Sequence, residues 1–282
     1  MMSNNANFRI LSGVKPQSVA WLWKDRIPLG EITAFDGDPA TNKSSVTLDL
    51  AARVSTGKAM PDGTDGVLGG VLLLQAEDSL HKTVVPRLVA AGADRGRIAQ
   101  LPETVTIPKD LDAIEEAIIT MKAKLLVIDP LAVFLGRNVN NDQSVRQALA
   151  PLAEMAERQE IAVILIRHLN KTSGQRSMYR GLGSIGIVAA VRSHFLSGIS
   201  PKDRNMRVMC HAKSSLLVAA PSLLFEPVGD NNGVVRIEWR GECDYTVEDL
   251  LAAPTRGHRD LHQLRLSSER PTPDGAAQKE EE

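Results

Sequence analysis

Four short apolar runs alternate with four stretches of helical periodicity, and that alternation limits the chain to few folds. The runs lie at residues 32–35, 70–76, 124–129 and 161–168. Between them, residues 44–55, 80–91, 111–121 and 144–159 carry apolar side chains three and four apart. A strand that is apolar along its whole length is buried on both faces, and strands separated by helices pair in parallel. The pattern predicts an α/β fold with a mostly parallel sheet flanked by helices on both faces. Beyond about Val188 the rhythm changes to strand-like runs closed by turns, at 191–199, 206–212, 222–228 and 234–239. The last two are joined by Gly229-Asp230-Asn231-Asn232-Gly233, a hairpin sequence. The sheet is therefore expected to continue as antiparallel edge strands.

Between the first apolar run and the first helical stretch the chain reads Gly37-Asp38-Pro39-Ala40-Thr41-Asn42-Lys43-Ser44-Ser45. This is the phosphate-binding pattern G-x-x-x-x-G-K-[ST] with Asn42 in place of its second glycine. In such a loop the backbone N–H groups and the helix N-terminus cradle the β-phosphate. Lys43 reaches the β- and γ-phosphates and the Ser44 hydroxyl holds Mg²⁺. Asparagine tolerates a positive φ better than other residues with side chains, so the loop survives the exchange at ~1 kcal/mol. If the substitution only taxes backbone geometry, Asn42→Gly is expected to raise nucleotide affinity or turnover. Taken alone, the segment is also readable as a polar turn.

Three further apolar runs end in residues able to do chemistry. Lys124-Leu125-Leu126-Val127-Ile128-Asp129 places Asp129 at a strand end, in the crevice where α/β sheets bind ligands. There it would hold Mg²⁺ through water or accept a hydrogen bond from Ser44. In isolation Asp129-Pro130 is equally a turn. Glu77 follows Leu72-Leu73-Leu74-Gln75-Ala76 and is positioned to orient water against a γ-phosphate. Its neighbour Asp78 competes for that role but also reads as a helix-start acid beside Ser79. His168 closes the fourth run, either as a structural histidine or as a sensor of phosphate state. The following residues, with Lys171, Arg176, Tyr179 and Arg180, suit a nucleic-acid backbone and a stacked base, or a solvated surface loop. The polar residues 136–141 are a second such loop. Arg204, Arg207 and Lys213 suit fingers reaching a neighbour's γ-phosphate, or charges that keep an edge strand from aggregating.

Composition bounds the remaining possibilities. The 282 residues are 43% hydrophobic and 24% charged, enough for one large α/β domain with short appendages. A net charge of −1 gives no global field to recruit nucleic acid, so any such contact must be local. The two cysteines, Cys210 and Cys243, lack metal-ligand spacing and fit a reducing interior. No apolar stretch approaches the ~18 residues of a spanning helix, and the N-terminus lacks a signal-peptide core. A cytoplasmic protein without membrane contact is expected. Its parts are a flexible N-terminus (1–15), one large α/β domain (16–253) and a disordered charged tail (254–282).

Several blocks coincide with one family. They are Arg26-Ile27-Pro28-Leu29-Gly30, the loop at 37–45, Asp49-Leu50-Ala51-Ala52-Arg53-Val54-Ser55-Thr56-Gly57 and residues 73–78. Others are residues 127–136, 167–171, Tyr179-Arg180-Gly181 with Gly183-Ser184, and residues 221–225. Together they make the chain resemble the RecA-like ATPases of the DnaB-type helicase branch, in particular the RepA type of plasmid replicative helicase. The resemblance implies a RecA-like P-loop NTPase core, ATP and Mg²⁺ as cofactors, and a homo-oligomeric six-membered ring. It also implies translocation on single-stranded DNA in plasmid or phage replication, with a replication initiator or primase as partner. Carried over by position, the loop Gly37, Asp38, Pro39, Ala40, Thr41, Asn42, Lys43, Ser44 and Ser45 binds the phosphates, and Ser44 and Asp129 bind the metal. Glu77 becomes the catalytic base, Asp129 the second-strand acid, His168 the sensor and Arg207 the finger supplied by a neighbour. Lys171, Arg176 and Arg180 fall in the DNA-facing loop. Ala40 and Asn42 both replace glycines of the family loop, which keeps open an alternative: a nucleotide-gated, weakly or non-hydrolysing module that binds DNA or a partner.

Overall fold

The apolar runs pair as strands buried on both faces must. The computed structural model describes residues 11–136, 141–168 and 185–252. The expected tail at 254–282 and residues 1–10 of the expected N-terminal segment lie outside them. A small hairpin, β1 (Trp21–Trp23) with β2 (Ile27–Pro28), precedes β3 (Ile32–Gly37), α1 (Lys43–Thr56) and β4 (Gly70–Gln75). Next come α2 (Val85–Ala90), β5 (Ile98–Gln100), α3 (Leu111–Met121), β6 (Ala123–Asp129) and α4 (Leu131–Phe134). The chain continues through α5 (Asp142–Gln159), β7 (Ala162–His168), α6 (Ile185–Ala190) and β8 (Ser193–Ile199). It closes with β9 (Arg207–Ser214), β10 (Ser222–Gly229), β11 (Val235–Cys243) and α7 (Val247–Ala252).

The main sheet has nine strands in the order β11-β10-β9-β8-β3-β7-β6-β4-β5. The six strands from β8 to β5 are parallel, and β9, β10 and β11 add on antiparallel. This is the α/β architecture of a RecA-like core. Two details differ from the sequence pattern. The run at 191–199 pairs in parallel with β3, because it enters the sheet through α6 rather than a hairpin. Strand β5 is only three residues long, too short to carry a periodicity. The hairpin between β10 and β11 is present, closed by the Asp230 N–H to Val234 C=O bond at 2.9 Å.

Each face of the sheet has its own apolar layer. On one face α3, α4, α5 and α6 cover the sheet through Ile114, Ile118, Phe134, Leu149, Leu152 and Ile187. On the other, α1, α2 and the β1–β2 hairpin do so through Val46, Leu50, Val54, Leu88 and Trp23. Helix α5 buries Val145, Ala148, Leu149, Leu152, Met155 and Ala156, the three-and-four spacing of a single stripe. Its start is fixed by the Asn141 side chain, which accepts from the Ser144 N–H at 2.9 Å. Helix α1 ends where Gly57 enters the left-handed region and its N–H closes onto the Arg53 carbonyl.

The topology decides where a ligand can sit. From β3 the chain crosses over the positions of β7 and β6 to reach β4, and later returns to place β8 on the other side of β3. The C-terminal end of β3 is therefore a switch point, where the connections diverge and leave a crevice.

Candidate active site

Strand β3 delivers the loop into that crevice through a contact only glycine permits. A Cβ on Gly37 would lie 2.5 Å from the Ser197 carbonyl oxygen and 2.7 Å from Thr41 Oγ1. The loop then turns twice through the left-handed region, at Ala40 (φ 65°) and Asn42 (φ 63°, ψ 26°). These are the two positions where the sequence replaces glycine. The turn is held from inside by the Thr41 hydroxyl, which donates to the Asp38 carbonyl at 2.8 Å. It is held from outside by Ser197 on β8, whose hydroxyl donates to the Thr41 carbonyl at 2.8 Å. Helix α1 begins at Lys43, so its unpaired first-turn N–H groups and the positive end of its dipole border the loop.

The side chains expected to act lie at the ends of four consecutive strands, β3, β7, β6 and β4. Lys43 is buried, and its Nζ donates to the carbonyls of Gly37 at 2.8 Å and Asp38 at 2.9 Å. Burial pushes its pKa down, while the carboxylates of Asp129, Asp36, Asp38 and Glu77 pull it back up. Asp129 ends β6 and is 2% exposed. Burial raises its pKa; hydrogen bonding from Ser44 opposes the rise, nearby Glu77 adds to it, and Lys43 opposes it. Its Oδ2 has no hydrogen-bond partner among the described residues. Glu77 lies two residues beyond β4, half exposed, with Oε2 3.4 Å from Nε2 of His168 at the end of β7. The competing acid Asp78 is ion-paired with Arg87 at 2.9 Å, while Ser79 is the helix cap, accepting from the Lys82 N–H.

This donor set fits Mg²⁺. A buried carboxylate oxygen lacking a partner, beside a serine hydroxyl, offers hard oxygen ligands to a cation that takes few protein ligands. Among the described residues no group of three or more His, Cys, Asp or Glu is placed to hold a metal ion, so a cation here would take its remaining ligands from outside the protein. Chemically, the crevice offers N–H groups and an ammonium for phosphates, and an open carboxylate next to a histidine for water.

The strand ends also carry a cluster that the sequence reading did not identify. Asp36, one residue before Gly37, accepts from Arg167 Nε on β7 at 2.7 Å and from Arg167 Nη2. It also accepts from His194 Nε2 on β8 at 2.8 Å. All three are at most 3% exposed. Burial alone would raise the Asp36 pKa, but Arg167 and His194 overcome it and bring it down to about 2. The available signal was a polar residue just after or inside each of three apolar runs.

The remaining expected residues are dispersed. Arg207 begins β9 on the same edge of the sheet, two strands from β3, half buried, with Nη1 donating to the carbonyls of Arg204 and Met206. Lys213 pairs in register with His194, toward the opposite edge, and donates to the Val188 carbonyl at 2.9 Å. Lys171, Arg176, Tyr179 and Arg180 lie outside the described residues, as do 137–140 of the second polar loop.

A family model described as "AAA domain" matches residues 5–174. Among curated proteins the chain is similar to the DNA repair protein RadA of Chlamydia pneumoniae, 24% identical over 224 residues. That similarity covers 72% of this chain and 45% of the relative, so the chain spans less than half of that protein's length. The family match extends over more than half of the sequence, from before β1 to beyond β7, and the chain belongs to the AAA domain family.

Proposed function

We propose that this member of the AAA domain family is a ring-forming, ATP-hydrolysing motor that acts on single-stranded DNA, in the manner of a plasmid or phage replicative helicase. The observation that carries the reading is the convergence of Lys43, at the start of α1 where the loop leaves β3, with His168, Asp129 and Glu77 at the ends of the next three strands, β7, β6 and β4. The relative named for DNA repair supports a DNA-linked role. Residues 16–253 are the ATPase domain in this reading.

The loop from Gly37 to Ser45 binds the triphosphate through its N–H groups and the start of α1. Lys43, poised on the Gly37 and Asp38 carbonyls, neutralises the β- and γ-phosphates. Ser44 and Asp129 hold Mg²⁺, which when bound offsets phosphate charge. Glu77 orients the attacking water and accepts its proton, since its carboxylate is open on one side and Asp78 is engaged by Arg87. His168, within reach of Glu77, registers the γ-phosphate and passes the change to the residues that follow it, of which Lys171, Arg176 and Arg180 meet DNA. Arg207 of a neighbouring copy stabilises charge in the transition state. In this reading a replication initiator or primase is a partner of the motor.

One observation favours a second reading. Ala40 and Asn42 both occupy left-handed backbone in the phosphate loop. A strained cradle suits a nucleotide-gated module that binds ATP and turns it over slowly or not at all. Phosphate release with and without single-stranded DNA, alongside gel filtration with a nucleotide analogue, separates the two. The motor gives DNA-stimulated release from a ring; ATP binding without release gives the gated module. Neither binding nor release refutes both.

A further inference from the structure

The buried cluster behind the loop has a role that stability does not explain. Replacing a buried ion pair by apolar side chains of similar volume is often neutral or stabilising, so a fold has no need of one for stability alone. What a bidentate arginine–carboxylate pair supplies is a fixed geometry in two dimensions. Here that geometry lies one residue from the site. In the parallel register Asp36 faces Arg167 and Gly37 faces His168. The Arg167–Asp36 fork thus fixes the lateral and lengthwise position of β7 against β3 immediately behind the loop glycine and the histidine beside Glu77.

The third strand is fastened in the same way. His194 on β8 donates from Nε2 to the same Asp36 carboxylate, and three residues later Ser197 holds the Thr41 carbonyl of the loop. The strands that emit the phosphate loop, the histidine and the loop tether are clamped on one carboxylate. We infer that Asp36, Arg167 and His194 form a positioning clamp, which holds the phosphate loop and the His168–Glu77 pair at the spacing that hydrolysis requires. The inference rests on the proposed ATPase reading. Asp36 and Arg167 are buried, at most 3% exposed, and act through the residues that follow them.

A clamp of this kind separates binding from chemistry. The loop and Lys43 are all carried by β3 and α1, so nucleotide still binds if β7 shifts. The water-orienting side chains sit on β4 and β7, so turnover falls, because misplacement by about 1 Å costs roughly 100-fold in rate. The test uses Arg167→Lys, which keeps the charge but loses the fork, and the neutral pair Asp36→Asn with Arg167→Gln, which keeps a hydrogen bond without charge. ATP-analogue affinity, kcat and melting temperature are measured on each. Expected are kcat at least about 10-fold lower and affinity within about 3-fold of the parent. The clamp is refuted if either folded variant turns over like the parent, or if kcat and affinity fall together. It is also refuted if both variants fail to fold, since the cluster would then be a requirement of the fold. A parent protein that binds nucleotide without hydrolysing it, or does not bind it, instead overturns the ATPase reading on which the clamp rests.

Discussion

Replacing Ala40 by glycine should stabilise the folded protein while leaving nucleotide affinity almost unchanged. Ala40 sits at φ 65°, where an ordinary L-residue is disfavoured by about 1–2 kcal/mol. Glycine removes that strain but makes the unfolded chain more flexible, which costs about 0.4–1 kcal/mol. The net gain is roughly 0–1.5 kcal/mol, a rise in melting temperature of up to about 5 °C for a domain of this size. The left-handed turn is already formed in the folded loop, tied by Thr41 to Asp38 and by Ser197 to Thr41. Its strain is therefore carried equally with and without nucleotide, and cancels in the binding constant. The same logic revises the sequence-based expectation for Asn42→Gly. Asn42 already adopts φ 63° and pays less than alanine for it, so the change should be near neutral in both stability and affinity. Thermal melts and titration with a fluorescent ATP analogue, on Ala40→Gly and the parent side by side, decide the matter. A clear fall in melting temperature, or affinity rising by about 10-fold or more, would refute the reasoning. Either would mean that the loop seen here is not the one that binds.

Gly37→Ala is the opposite case. Its new Cβ would press on the Ser197 carbonyl at 2.5 Å, so about 1–3 kcal/mol of stability and most nucleotide binding should be lost, read by the same melts and titration. Acid sensitivity should trace to His211. It is buried against Phe195, accepts from the Ala220 N–H at Nδ1 and so donates from Nε2 to Ser193, with a pKa lowered from 6.5 to about 4 by burial, Arg26 and His194. The unfolded chain binds the proton first, so stability is complete above about pH 6.5 and declines by up to roughly 3 kcal/mol as pH falls to about 4. His211→Gln should flatten melting temperature across that window, and an unchanged slope would count against it. The loss associated with Asp36 lies lower, between about 4 and 2, and does not overlap.

The parts of the fold set by local pattern were legible in the chain. Helix α3 occupies the residues its periodicity indicated, and strands β3, β4, β6 and β7 fall on the four apolar runs. The placement of Lys43, Asp129, Glu77 and His168 was legible because each follows or ends such a run, and parallel strands bring those ends to one edge. What could not be read is what depends on pairing across long separations. Arg167 meets Asp36 over 131 residues and His194 meets it over 158, and no local periodicity encodes either contact. The direction of β8 was hidden for a similar reason, since the helix that leads into it, α6, has only six residues and a strand-like reading passes over it. The separation of Lys213 from Arg207 follows from strand register. Six residues along an antiparallel strand carry a side chain from one edge of the sheet toward the other.

The central claim is that the crevice at the ends of β3, β7, β6 and β4 binds and hydrolyses ATP. ATP binding and phosphate release, measured on the same preparations of the parent protein, Lys43→Ala and Glu77→Gln, test it most directly. The parent should bind and hydrolyse, and Lys43→Ala should do neither. Glu77→Gln should bind with near-parent affinity and release phosphate at least about 100-fold more slowly. Phosphate release that persists at the parent rate in Glu77→Gln, or in Lys43→Ala, would place the chemistry elsewhere and contradict the account.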